Sequence, residues 1–157
     1  MRKGLIVILA ILGVSSALSP STYLTPIDKD RLKLVLDSAW SLSDLAQVLY
    51  ASAGYQHLGQ NVPDSQAVCT FVKSSLVNGA TVESLFLASS VGKLLGCPIA
   101  ATPFSKQAVA EAIREGASPQ ELFHAVTTAT NIGIDIDTAK VLRATQMALK
   151  KDDSVLR

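Results

Sequence analysis

The chain carries one short pattern three times, at a constant spacing of 37 residues. Each copy consists of two large residues, one variable residue and an alanine, and the copies begin at positions 48, 85 and 122. A residue type that commonly caps a helix lies four positions before each start, and a glycine lies eleven positions after it. The copies are Val48–Ala51 with Asp44 and Gly59, Leu85–Ala88 with Thr81 and Gly96, and Leu122–Ala125 with Ser118 and Gly133. The pattern predicts one helix repeated three times, with another helix in each intervening stretch, and therefore a stack of helix pairs.

Other helix signals agree with an all-α fold. The first of the three repeated helices is predicted to span Ser41–Leu58, and a further helix Ser105–Glu115, with Ser105 as its cap. Asp137 is predicted to cap a last helix that ends near Leu149. No segment has the strict alternation of a half-buried strand. We therefore expect about seven helices, arranged as stacked antiparallel hairpins in an α/α superhelix or a toroid-like arc.

The first residues have the composition of a secretory signal peptide rather than of a folded domain. Arg2 and Lys3 form a short basic start, and the apolar run Leu5–Val14 follows. Ser15–Ala17 supplies the small residues that a signal peptidase requires, so we expect cleavage after Ala17. An uncleaved signal anchor is the alternative, although the apolar run is short for a membrane-spanning helix.

Charge and hydropathy of the mature chain, residues 18–157, exclude several classes of function. Removal of residues 1–17 leaves twelve Lys and Arg against thirteen Asp and Glu, so the formal charge changes from +1 to −1. No basic stripe of the kind that binds nucleic acid is present. No second apolar run is long enough to cross a bilayer. The length is typical of one domain, which we expect over residues 18–157.

The mature chain has two cysteines, Cys69 and Cys97. An even number of cysteines in an oxidising compartment favours a disulfide. Cys69 lies within a predicted helix and Cys97 just after the end of the next one, so antiparallel neighbours could bring them together. Two buried free thiols are the alternative. A redox-active pair is disfavoured, because the spacing is far from Cys-x-x-Cys.

No group of residues in the sequence favours catalysis, a cofactor or a metal ion. Asp135 and Asp137 form an Asp-x-Asp of the kind that holds a metal–nucleotide in many glycosyltransferases, but Asp137 stands where a helix cap is needed. Neither His57 nor His124 has a second metal ligand three or four positions later in the sequence. The acidic residues lie mainly at predicted helix starts, where the helix dipole favours negative charge. The residues that we single out are helix caps: Asp44, Thr81, Ser118 and Asp137.

Seven short motifs occur together in an order and spacing that resemble a known family. They are Tyr23-Leu24-Thr25, Arg31-Leu32, Val62-Pro63-Asp64, Ala67-x-Cys69-Thr70, Ser84-Leu85-Phe86, Leu95-Gly96-Cys97 and His124-Ala125-Val126. The ordered set resembles the N-terminal lumenal domain of the ribophorin II family, from about Ser21 to the end of the chain. Ribophorin II is a non-catalytic subunit of the endoplasmic-reticulum oligosaccharyltransferase.

The resemblance implies a location on the lumenal side of the endoplasmic reticulum and a role in protein N-glycosylation. The complex transfers a preformed oligosaccharide from dolichol pyrophosphate to Asn in Asn-x-Ser/Thr, and a separate subunit performs the chemistry. The implied partners are ribophorin I, the catalytic subunit and the small membrane subunits. Family members continue into further lumenal segments and membrane helices, so residues 18–157 are expected to be a fragment or a truncated form of a longer family chain.

A different kind of function also fits the residues. Stacks of helix pairs usually bind other proteins. The alternative hypothesis is therefore a lumenal or secreted helical-repeat binding module with another protein partner.

Overall fold

A computed structural model describes residues 20–77 and 79–155, and in these residues the chain is helical without any strand. Seven helices longer than two turns follow one another: α1 Pro26–Leu36, α2 Leu45–His57, α3 Ser65–Ser74, α4 Val82–Leu95, α5 Pro103–Ala112, α6 Pro119–Ile132 and α7 Thr138–Val155. A short helical turn, Pro20–Tyr23, precedes α1, and the 3₁₀ helix Asp37–Ser41 links α1 to α2. The predicted all-α class is confirmed. The predicted signal peptide, with cleavage after Ala17, lies outside the described residues.

The three helices that carry the sequence pattern, α2, α4 and α6, form one layer and are called the repeat helices below. Helix α4 packs between α2 and α6. The other four, α1, α3, α5 and α7, are called the flanking helices. Helix α1 packs on α2, α3 packs on α4, α5 contacts both α4 and α6, and α7 packs on α6. Each repeat helix is thus preceded in the chain by a flanking helix that packs against it.

The repeated residues occupy equivalent places in the core. The first position of the pattern is buried in every copy, since Val48 and Leu85 are 0% exposed and Leu122 is 5% exposed. The alanine at the fourth position of each pattern is buried as well, and its small side chain lets neighbouring helices approach closely. Burial of one valine or leucine side chain contributes about 1.5–3 kcal/mol to the free energy of unfolding.

The repeat helices also end in the same way. A glycine with positive φ follows each helix, with φ of 69° at Gly59, 69° at Gly96 and 70° at Gly133. The next amide then donates to the carbonyl five residues earlier, in the bonds Gln60 to Tyr55, Cys97 to Gly92 and Ile134 to Ala129. This geometry is the Schellman motif, and glycine suits it because a positive φ is unfavourable for residues with a Cβ.

Predicted helix boundaries are wrong in α2 and α5. Helix α2 begins at Leu45 rather than Ser41, because Ser41 ends the 3₁₀ helix and the following Leu42, with a left-handed φ of 53°, interrupts the helical path. Thr102, not Ser105, caps α5, which ends at Ala112 instead of Glu115. Ser105 is the third residue of that helix, and its hydroxyl accepts a hydrogen bond from the Thr102 amide at 2.8 Å.

The last helix is longer than the prediction that placed its end near Leu149. Helix α7 continues to Val155. No glycine or proline follows residue 149 to stop it.

Candidate interaction surface

Most acidic residues near helix starts bond to the backbone, which explains their position without catalysis. The Asp44 carboxylate accepts hydrogen bonds from the amides of Ala46 and Gln47 at 2.7 and 3.0 Å. Asp137 accepts from the second and third amides of α7 at 2.9 and 3.1 Å, while Asp135 is exposed in the preceding loop. Among the described residues, no three metal-ligating side chains come together. The Asp-x-Asp sequence therefore has a structural use as a helix cap.

The other two caps singled out from the sequence bond in the same way. The Thr81 hydroxyl accepts from the Ser84 amide at 3.1 Å. The Ser118 hydroxyl accepts from the Glu121 amide at 3.1 Å, and Glu121 accepts from the Ser118 amide at 2.8 Å, which completes a capping box. The Ser118 amide and the Arg114 guanidinium, 3.0 Å away, together hold the pKa of Glu121 below its usual value.

The flanking helix α3 is tied to the end of α4 through the two cysteines. Cys69 of α3 and Cys97 form a disulfide in the structure, with Cα atoms 5.5 Å apart. Cys97 immediately follows Gly96, so the Schellman turn at the end of α4 directs it back toward the flanking helix. The bridge holds the second helix pair together near the middle of the stack.

One buried ionisable group lies at the joint between α1 and α2. Tyr55 is 1% exposed, its ring meets Trp40 edge to face at 5.4 Å, and its hydroxyl donates a hydrogen bond to Asp37. Burial raises the pKa of Tyr55, and the hydrogen bond to the Asp37 carboxylate raises it further. This group stabilises the joint and does not face an open cleft.

The two histidines lie on different repeat helices and have different surroundings. His57 is exposed in the last turn of α2. His124 of α6 is 8% exposed, and its ring stacks on Phe86 of α4 with centroids 4.4 Å apart and planes 11° apart. His124 thus helps to join two neighbouring repeat helices.

The stacked ring of Phe86 belongs to a row of side chains at the second position of the pattern. Phe86 is partly buried and also meets Phe123 of α6 at 5.3 Å. Phe123, the last member of the row, is 58% exposed. An exposed aromatic ring next to apolar surface is a common feature of protein contact sites.

Phe123 lies at the edge of an apolar groove between α6 and α7. The groove has a volume of about 330 Å³, and its lining is almost entirely apolar: Pro119, Leu122, Phe123, Val126, Val141 and Leu149, among others. A second depression of about 420 Å³, between α2 and α4, is instead polar and uncharged, and it is lined by Ser52, Gln56, Gln60, Asn61 and Ser65 together with apolar residues. The apolar groove is the stronger candidate for binding a protein segment.

Helix α1 presents a second apolar surface at the opposite end of the layer. No residue of α1 is buried. Ile27, Leu34 and Val35 of α1, with Tyr23 of the preceding turn, are 65–74% exposed. These four residues are called the α1 stripe below. The sequence did not indicate that these apolar side chains are left uncovered.

Residues 24–157 match the family described as the Ribophorin II N-terminal domain. The chain belongs to the ribophorin II family. The match includes all seven helices, both cysteines, the apolar groove and the α1 stripe except Tyr23. Over the stretch from residue 20 to 155, apart from position 78, none of the helices is both long and apolar enough to cross a membrane.

Proposed function

We propose that this chain is a non-catalytic subunit of the endoplasmic-reticulum oligosaccharyltransferase and supports assembly of that complex. The observation that carries the proposal is the family match over residues 24–157. The transfer of the oligosaccharide to Asn in Asn-x-Ser/Thr is assigned to a separate subunit.

The proposed location is the lumenal side of the endoplasmic reticulum, where residues 18–157 form one lumenal domain. A signal peptide over residues 1–17 would bring the chain there. The Cys69–Cys97 bridge suits an oxidising compartment. The proposed partners are ribophorin I, the catalytic subunit and the small membrane subunits.

An assembly role is also supported by two exposed apolar surfaces of the chain. The α1 stripe and the apolar groove lie at opposite ends of the layer of repeat helices, and both expose large apolar side chains. Surfaces of this kind favour contacts with other proteins. Several acidic residues, in contrast, cap helices, as Asp44 and Asp137 do, and Arg114 and Glu121 form an exposed ion pair.

Affinity purification of the tagged native protein from mildly solubilised microsomes tests the proposal. Companion proteins would be identified and quantified by mass spectrometry. We expect stoichiometric recovery of the catalytic oligosaccharyltransferase subunit and ribophorin I. Recovery of the protein alone, or in the soluble lumenal fraction, would overturn the proposal and favour a free helical-repeat binding module. A tagged lumenal protein of unrelated fold, purified in parallel, controls for non-specific recovery.

A further inference from the structure

One buried hydroxyl of the repeat helices has no hydrogen-bond partner. The side chain of Ser52 on α2 is 0% exposed, and its oxygen bonds to no group in the described part of the chain. Ser89 occupies the equivalent place on α4, 37 residues later. Its hydroxyl donates to the Phe86 carbonyl at 3.1 Å and accepts from the Asn131 amide of α6 at 3.4 Å. Buried polar groups normally have such partners, so the unpaired Ser52 hydroxyl marks a place where another group can bind.

Comparison of the two repeats shows which partner Ser52 lacks. The residue of α4 that corresponds to Asn131 of α6 is Leu94, 37 residues earlier in the chain. Leucine has no hydrogen-bonding side chain, so it cannot donate to Ser52 as Asn131 donates to Ser89. Ser52 and Leu94 both line the depression of about 420 Å³ between α2 and α4, which is called the polar pocket below.

Four further polar side chains surround the polar pocket. They are Gln56 of α2, Gln60 and Asn61 of the loop that follows α2, and Ser65 at the start of α3. None of these four side chains forms a hydrogen bond with another group of the described residues. Each amide or hydroxyl side chain can both donate and accept. No charged residue lines the pocket in the described structure.

This lining favours a neutral ligand that carries several hydroxyl groups. An ionised ligand would leave water without gaining a counter-charge, and an apolar ligand would leave Ser52 and the amides unpaired. A hydroxyl group both donates and accepts, as the surrounding side chains do. Val62, Leu94 and Leu95 add apolar surface on which the C–H groups of such a ligand can pack. An extended peptide fits less well, because peptides of this kind commonly add to a sheet edge and the described residues contain no strand.

We propose that the polar pocket binds a neutral carbohydrate, and that a sugar hydroxyl supplies the hydrogen bond that Ser52 lacks. The volume of about 420 Å³ lies within the range of about 300–1,000 Å³ that is usual for small-molecule sites. Gln56 is exposed and lies one helical turn after Ser52, so rotation of its side chain gives a sugar hydroxyl access to Ser52. The inference goes beyond the proposed function and does not rest on it, because it uses only the chemistry of the pocket and the repeat geometry.

Titration with monosaccharides tests the proposal, with the side-chain amide signals of Gln56, Gln60 and Asn61 followed by NMR. The full chain is produced in a secretory host so that its disulfide forms. Glucose, mannose and N-acetylglucosamine are the neutral probes, while glucosamine and glucuronic acid place a charge on the same ring. We expect saturable shifts of these signals with at least one neutral probe. Both charged sugars should bind at least about tenfold more weakly, because the pocket offers no counter-charge.

Alanine variants test whether Ser52 takes part in the binding. We expect Ser52→Ala to weaken the binding of the neutral sugar about two- to tenfold, which corresponds to the loss of one hydrogen bond. Ser89→Ala is the matched control, because Ser89 is a buried serine at the equivalent position of the repeat and does not line the pocket. Its affinity should equal that of the wild-type protein. Asn61→Ala, in an exposed loop, should also weaken the binding and provides a second variant if Ser52→Ala folds poorly.

Three results would overturn the proposal. If no neutral sugar produces a saturable shift, the pocket holds only water. If a blocked serine–asparagine dipeptide shifts the amide signals and the sugars do not, the pocket is a peptide site. If the wild-type protein, Ser52→Ala and Asn61→Ala bind the sugar equally, the sugar binds elsewhere on the chain.

Discussion

At the scale of single residues, two serines at equivalent positions of the repeat differ in their hydrogen bonds. Ser89 donates to the Phe86 carbonyl at 3.1 Å and accepts from Asn131, whereas the buried hydroxyl of Ser52 has no partner in the described structure. We expect Ser89→Ala to lower the free energy of unfolding by about 0.5–1.5 kcal/mol, and Ser52→Ala to leave it unchanged or raise it slightly. Urea unfolding of both variants measures the difference. A larger loss for Ser52→Ala than for Ser89→Ala would mean that the Ser52 hydroxyl has a bound partner in its polar pocket.

Because Tyr55 is buried, we expect the folded protein to lose stability at alkaline pH. Because burial raises its pKa in the folded protein, the folded state favours the neutral phenol. This contribution to the free energy of unfolding is fully present below the unfolded pKa of about 10, and it is lost as the pH rises through the folded pKa. We expect the wild-type protein to lose stability above about pH 10 more steeply than Tyr55→Phe does. Equal slopes for the two proteins in urea unfolding at several alkaline pH values would contradict the prediction.

The sequence predicts hydrogen bonds between neighbouring residues better than it predicts which side chains are exposed to solvent. Asp137 was expected to cap a helix, and its carboxylate accepts two amides of the first turn of α7. The sequence did not indicate that Phe86 would be covered by His124 while Phe123 would stay exposed. A cap depends on residues three positions away, but burial of a ring depends on a helix some 37 residues further along the chain.

At the scale of single helices, the capping box at the start of α6 gives a direct test. The Ser118 hydroxyl accepts the Glu121 amide, which otherwise has no partner within the helix. We expect Ser118→Ala to lower the free energy of unfolding by about 0.5–2 kcal/mol. Ser118→Asp is the matched control, because aspartate caps as well as serine and its charge suits the helix N-terminus. If thermal and urea unfolding show equal losses for both variants, the side-chain cap is not the cause.

Helix order was easier to predict than helix boundaries. The 37-residue spacing predicted which helices are alike, and the structure places these helices side by side. The start of α2 was missed because the left-handed Leu42 breaks the helix, and leucine carries no local signal for that conformation. The start of α5 was missed because Thr102 and Ser105 bond to each other, so either residue could have been the cap.

At the scale of the whole molecule, the disulfide joins two elements that are separated by 28 residues in the sequence. We expect the double variant Cys69→Ala/Cys97→Ala to lower the free energy of unfolding by about 2–5 kcal/mol, since the bridge restricts the unfolded chain. Reductant should destabilise the wild-type protein by a similar amount and leave the double variant unchanged. A wild-type protein that is insensitive to reductant, and shows two free thiols by mass spectrometry, would contradict the prediction of a bridge.

Substitutions in the α1 stripe test whether this exposed surface is needed for assembly with other subunits rather than for folding. Leu34 and Val35 are 74% and 72% exposed and lie in the last turn of α1, where positive charge suits the helix dipole, so replacing both with lysine should change the free energy of unfolding of the domain by less than about 0.5 kcal/mol. A charge at each position would oppose burial in an interface, and we expect the variant to recover less ribophorin I and catalytic subunit from microsomes. Leu142→Lys is a matched control, because Leu142 is a comparably exposed leucine on α7, at the other end of the layer. Equal recovery from the wild-type protein and the α1 variant would show that the stripe is not the assembly surface. A loss of recovery with unchanged unfolding would place the contact on α1, because the fold that presents the stripe would still be intact.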